Sequence, residues 1–422
     1  MKRNYYIVGL ILLTFFVISF LTNIINPLIP SMIKGFNLSL ALVAVLPFAF
    51  FIAYGVVSIP AGLLVEKYRQ KKVMIGGFIV AFIGALILAI VPNYLTAAIS
   101  LFLIGSGMAM LQVVINPLLR AAGGEENYAF NSVLAQLIFG LASFVSPLVY
   151  SYLVLHLKQP GSARHGIMGV LRGLVPASLP WISLYWLFTV ICLAMILIIG
   201  LSRFPTVELS EEERVEEANV YFRLIKNPIV ILFFLGIIMY TGTEQGVANW
   251  ISQFLHTYHG YDPQTTGAKA VSRFWGLMAV GGVVGLGLLK IMDSRKVLIG
   301  FSVLALLSLS AALFGNAKTS LYAFPAIGFF ASVMYPVIFS LALNSLEEHH
   351  GAFAGILVTG IIGGALVPLI IGGLGDAFSL RIGMLFLYVT MGYILSVGFW
   401  AKPLISNKTI QMSRKEAVED QI

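Results

Sequence analysis

Charge is scarce in this chain: charged residues make up only 10% of its 422, against about 25% in ordinary soluble domains. That shortage excludes a solvated globular fold. Cysteine is nearly absent as well. Cys192 stands alone, so no disulfide framework can form within the chain, and its place in an apolar run reads as a small buried side chain. Metal-ligand spacing is missing: the six histidines are scattered, and His349 and His350 beside Glu347 and Glu348 read as a solvated turn. No phosphate-cradling loop and no Ser-His-Asp arrangement occurs. Neither an enzyme, a metal site nor an organic cofactor is therefore expected.

What is present is apolar sequence, 59% of the chain, gathered into runs of about 20 residues. Such runs cross a hydrocarbon core of about 30 Å as helices and are far too long for barrel strands. Twelve are read from the sequence: 6–31, 41–65, 72–91, 97–120, 130–155 and 180–202, then 228–254, 269–292, 297–314, 320–343, 352–374 and 382–402. The fold class expected is an all-α, multi-pass integral membrane protein. A net charge of +8 by itself suggests nucleic acid, but 18 of the 26 Lys and Arg residues fall on one side of these spans. That asymmetry places both termini in the cytoplasm and makes the basic balance a matter of topology. Lipid is then a partner and nucleic acid is not; a monomer is expected.

The chain repeats itself. Lys71-Lys72-Val73 returns as Arg295-Lys296-Val297, 224 residues on, Asn116-Pro117 as Tyr335-Pro336 at an offset of 219, and Pro147 as Pro368 at 221. Nearly constant offsets indicate a duplicated six-helix unit. The expected parts are a first bundle at 1–202, a cytoplasmic linker at 203–227, a second bundle at 228–402 and a tail at 403–422. The linker carries an acidic patch in which Ser210 and Glu213 are spaced like a helix capping box. Within the first half, Ile25-Asn26-Pro27-Leu28 is echoed by Ile115-Asn116-Pro117-Leu118. Nested repeats of this kind build many secondary transporters, with the solute held near the midplane.

Between spans 2 and 3, Gly62, Glu66, Lys67, Arg69, Lys71 and Lys72 form a loop that resembles the signature of the major facilitator superfamily. Glu66 stands where Asp is usual and Arg69 where Gly is usual. The resemblance implies two pseudo-symmetric six-helix bundles, and a role for the loop acid in a cytoplasmic charge network that stabilises the outward-facing state. A finer match lies in Asn26-Pro-Leu-Ile-Pro30, Ile59-Pro60-Ala61-Gly62, Gln112-Val-Val-Ile-Asn116-Pro117, Leu134-Ala135-Gln136 and Gly242-Thr-Glu244 through Asn249-Trp250. Together these resemble the fucose:proton symporter family, which includes glucose/galactose permeases. That resemblance implies a small-molecule sugar as substrate, in the cytoplasmic membrane of a bacterium. Proton-coupled members are expected to carry Asp where this chain has Asn26 and Glu where it has Gln112.

The polar residues inside the spans fit that chemistry. A sugar is best held by amides and carboxylates that donate and accept, with an aromatic face against its ring. Span 7 supplies Thr241, Gln245 and Asn249 at i, i+4 and i+8, with Glu244 beside them and Trp250 near the external end. Asn23 and Asn26 in span 1, Gln112 and Asn116 in span 4, Gln136 in span 5 and Trp275 in span 8 complete the candidate set. An intramembrane amide can also simply join two helices, Asn26 and Asn116 can satisfy carbonyls freed by the prolines after them, and tryptophan can anchor at the interface. Glu244 is the one carboxylate read this deep, and Arg273 is its expected partner, as a gate or as a static pair. Asn26 and Gln112 cannot titrate. Three couplings therefore stay open: a proton on Glu244, a sodium ion held by carbonyls and amides, or none. The function expected is ion-coupled sugar transport by alternating access; a uniporter, a sugar sensor and a drug exporter are the alternatives.

Overall fold

The computed structural model describes residues 5–123, 128–158, 167–204, 218–346 and 350–404. Twelve helices among them are long and apolar enough to cross a membrane. They are α1 (Tyr5–Phe36), α2 (Leu40–Tyr68), α3 (Gln70–Ile90), α4 (Tyr94–Gly123), α5 (Tyr128–Lys158), α6 (Pro180–Leu201), α7 (Pro228–His259), α8 (Pro263–Leu289), α9 (Ser294–Phe314), α10 (Ala317–Leu343), α11 (Ala352–Ala377) and α12 (Leu380–Trp400). Two short helices, Ile167–Leu174 and Ala218–Ile225, lie outside the spans. The acidic linker patch with Ser210 and Glu213 falls outside the described residues.

Several helices outrun their apolar sequence because polar caps extend them where hydropathy gives no signal. Span 8 begins at Pro263 instead of 269: the Asp262 carboxylate accepts from the Thr265 N–H at 2.9 Å and starts a π turn at Pro263–Gly267. Two of the breaks in the helices lie one turn before a proline. Pro27 cannot donate to the Asn23 carbonyl and its ring crowds that oxygen, so α1 is interrupted at Ile24. Pro336 does the same to Ser332, and α10 parts at Ser332 and Val333. The interruption divides α1 by function: its first piece, Tyr5–Asn23, packs on α4 and α5, while Ile25–Phe36 packs on α7 of the other half.

The two halves meet along three seams, α2 with α11, α5 with α8, and α1 with α7. Counting six helices on converts the first seam into the second and returns the third to itself, as a duplicated unit related by a two-fold axis requires. Small residues bring these helices close. A Cβ on Gly140 of α5 would lie 2.9 Å from that of Ala279 on α8, and the Ser272 hydroxyl of α8 donates to the Phe144 carbonyl of α5 at 2.7 Å. One turn nearer the cytoplasm on the same ridge of α5, Gln136 is exposed. The two halves are therefore in close contact along this seam from Gly140 and Ala279 to Phe144 and Ser272.

The repeated basic motif has a helix-capping role. Lys71 Nζ donates to the Gly200 and Ser202 carbonyls, each at 2.8 Å, at the end of α6; its repeat mate Arg295 reaches the Ala401 carbonyl at the end of α12 at 3.5 Å. Each therefore satisfies orphan carbonyls at the last helix of its own half. Lys67 lies 5.3 Å from the Tyr68 ring, Lys72 is exposed, Gly62 is half-buried, and the Glu66 side chain is outside the description. Arg69, between α2 and α3, has φ 68° and ψ 158°, a region open in practice only to glycine. The position's usual glycine is thus a steric requirement that Arg69 meets under strain. Arg69→Gly is expected to stabilise the protein by about 1 kcal/mol, whereas Arg69→Ala, which removes the same charge but keeps the strain, does not. Thermal melts of both in detergent check it.

Candidate functional site

The break in α1 places Asn26 against α7, and there a single amide joins three helices. Asn26 Nδ2 donates to Gln245 Oε1 at 3.2 Å and to Asn249 Oδ1 at 2.8 Å, while its Oδ1 accepts from Trp275 Nε1 of α8 at 3.3 Å. Asn26, Gln245, Asn249 and Trp275 are all buried. The knot continues toward the cytoplasm: Gln245 Nε2 donates to Glu244 Oε1 at 3.1 Å, and Tyr240 lies one turn before Glu244 on the same helix. Tyr335 of α10 stands beside them, its ring 5.6 Å from that of Tyr240. An unbroken polar chain thus runs from Trp275 through Asn26 and Gln245 to Glu244.

The spacing of α7 explains the geometry. Gln245 and Asn249 are one turn apart and present both acceptors to one partner. Thr241, on the same ridge, is occupied otherwise: its hydroxyl donates to the Ile237 carbonyl of its own helix and to the Gly360 carbonyl of α11, each at 3.0 Å. Glu244 is half-buried, on the cytoplasmic side of the knot. The Asn249 Nδ2 is buried without a hydrogen-bond partner, an unsatisfied donor beside the seam that a solute hydroxyl can accept from when the halves part.

Other candidates lie elsewhere. Asn23 donates to the Ser143 hydroxyl of α5 at 2.8 Å, which ties helices inside the first half. Gln112 is half-buried on α4, Asn116 lies on the same helix with its side chain outside the description, and Gln136 is exposed on α5. Trp250 is 1% exposed with its indole N–H unpartnered, and Trp275 is 4% exposed, so neither is an interfacial anchor. Asn26 turns to the opposite half instead of serving the carbonyls freed by Pro27. The expected pair of Glu244 with Arg273 is corrected. Arg273 is exposed, with its guanidinium 5.9 Å from the Tyr322 ring, because residues 273 and 275 point about 200° apart on a helix and Trp275 takes the inward face.

Tyr240 and Tyr335 were not among the site residues read from the sequence, although Tyr240 precedes Glu244 by one turn of the same helix.

Residues 11–368 match the Major Facilitator Superfamily. The chain belongs to that family. It is 30% identical to a glucose/galactose transporter of Brucella abortus over 94% of each chain, and 24% identical to the L-fucose-proton symporter of Escherichia coli over 89% of this chain and 88% of that one. Among solved structures, the E. coli fucose:proton symporter superposes with a TM-score of 0.65 at 22% identity, covering 94% of this chain and 98% of that one. The protein is thus a multi-pass membrane protein of the major facilitator fold, in a family of transporters.

Asn26→Leu keeps the volume of the side chain but removes all three bonds of the knot. Membrane hydrogen bonds average about 0.6 kcal/mol each, so a loss of about 2 kcal/mol is expected, read as a lower melting temperature. Asn23→Leu, which leaves the seam intact, is expected to lower stability without altering the spacing of the external helix ends measured between spin labels.

Proposed function

We propose that this protein carries a monosaccharide across the bacterial cytoplasmic membrane by alternating access, with the solute held below the Asn26 knot. The observation that supports the reading most directly is the knot itself: both halves contribute to it, and a site shared in this way forms and disperses as the halves rock. Its groups suit a polyol. Amides, tyrosine hydroxyls and a carboxylate each pair with hydroxyls as donor or acceptor, and Tyr240, Tyr335 and Phe339 offer flat apolar faces, Tyr335 and Phe339 with rings 5.7 Å apart. A glucose/galactose transporter and a fucose-proton symporter among the relatives point to the same solutes. An apolar drug would leave those groups unpaired.

Glu244 is the residue assigned to coupling. Its carboxylate accepts from Gln245, and Gln245 in turn accepts from Asn26, so a proton arriving on Glu244 changes the bonding of the residue that holds the seam. Asn26 itself resembles a protonated aspartate, neutral and able both to donate and to accept. It carries the bonding pattern of a loaded carrier without releasing a proton. In proteoliposomes, uptake of radiolabelled glucose, galactose or fucose is expected to accumulate under an imposed proton gradient. Glu244→Gln is expected to abolish accumulation while sparing counterflow. Uptake indifferent to both proton and sodium gradients contradicts symport, and accumulation undiminished in Glu244→Gln removes that residue from coupling.

A further inference from the structure

The seam carries a second tie, at the external surface, that neither the family signature nor the sugar site accounts for. The Asp376 carboxylate at the end of α11 accepts from two successive backbone N–H groups at the start of α2, Leu40 to Oδ1 and Ala41 to Oδ2, each at 2.8 Å. The Ser39 hydroxyl accepts from the Leu42 N–H at 3.2 Å. The first three N–H groups of α2 are therefore satisfied partly by its own cap and partly by a residue 336 positions away, in the other half. A carboxylate over two N–H groups at a helix N-terminus combines charge-assisted hydrogen bonds with the favourable end of the helix dipole.

The residues around Asp376 are shaped for this approach. A Cβ on Gly372 would lie 2.6 Å from the Leu40 carbonyl, and one on Gly375 would lie 2.8 Å from Leu40 Cδ1; only glycine lets α11 come this near. Gly372 and Asp376 also repeat the spacing of Gly62 and Glu66, a glycine four residues before an acid at the closing turn of a helix. Since α2 and α11 pack antiparallel across the seam, those acids sit at its opposite ends, one external and one cytoplasmic. At the corresponding external end of the α5 and α8 seam, Lys158 Nζ donates to Gln264 Oε1 at 2.8 Å.

We infer that Asp376 is the external latch of the transport cycle: its carboxylate, seated on the N-terminus of α2, holds the external side closed and is released each time that side opens. The tie is suited to repeated breaking. It lies at the exposed rim, so both the carboxylate and the two N–H groups pass to water when the halves part, and none is left buried and unpaired. Asp376 acts on the balance between conformations and touches no solute. The latch holds whichever solute is carried.

The test is a distance measurement on the full-length protein. Spin labels are placed at Leu95→Cys in the first half and Lys318→Cys in the second, both exposed external positions, in a Cys192→Ser background. Asp376→Ala is expected to raise the ratio of long to short distances about tenfold, the size expected from losing hydrogen bonds to a charged group. Leu40→Pro provides an independent approach from the donor side. Proline is tolerated at the first position of a helix, Ser39 before it already has φ −74° and ψ 169°, and the substitution deletes one latch donor. It is expected to shift the ratio in the same direction by less, and to add nothing to Asp376→Ala in the double variant. Unchanged distances in a folded Leu40→Pro, or in a folded Asp376→Ala, overturn the latch, as does full additivity of the two.

Discussion

The three hydrogen bonds of Asn26 are the constraint on which the arrangement rests. One neutral amide in the middle of the seam satisfies an amide carbonyl on each of two successive turns of α7 and the indole N–H of α8. In a bilayer interior none of these groups has water to turn to, so separating them requires a replacement. Under the proposed function a hydroxylated solute is such a replacement, and the closed state and the loaded state compete for the same donors and acceptors. At roughly 0.6 kcal/mol a bond, the knot is strong enough to bias the halves together and weak enough for a solute to exchange with it.

The fold serves this knot by breaking one helix and leaving others whole. Pro27 interrupts α1 at Ile24, which frees the external piece to lean on α7 while the first piece stays with its own half. The first piece is fixed there by bonds of its own, Asn23 to Ser143 and the Ser19 hydroxyl to the Phe139 carbonyl at 2.6 Å. Rigid units on either side and a shared polar centre between them are the components that rocking motion needs, and basic side chains at the ends of α6 and α12 close each unit separately.

Much of this could be read from the chain. Length and polarity of the apolar runs gave twelve spans, and the offsets between Lys71 and Arg295 or Pro147 and Pro368 gave the duplication. The face bearing Gln245 and Asn249 followed from their spacing. What spacing cannot supply is the partner across the seam, because a helical period fixes an azimuth relative to its own helix only. Arg273 was misplaced for that reason: it enters from the same external side as the end of α7, but its direction on α8 is opposite to that of Trp275. Asp376 drew no reading from the sequence, since nothing local reveals that the start of α2, 336 residues earlier, lies against it. Arg69 was noted as a departure from glycine, and only the backbone angle showed what the glycine is for.

The most direct test of the account is whether the external seam must part for a solute to pass. Lys158 and Gln264, bonded across the α5 and α8 seam at 2.8 Å, can be replaced by cysteines in a Cys192→Ser background and joined by a short thiol-reactive bridge. The account predicts that bridging stops counterflow of a transported sugar in proteoliposomes, and that a reducible bridge restores it on reduction. Counterflow that continues at the unbridged rate in fully bridged protein would contradict it.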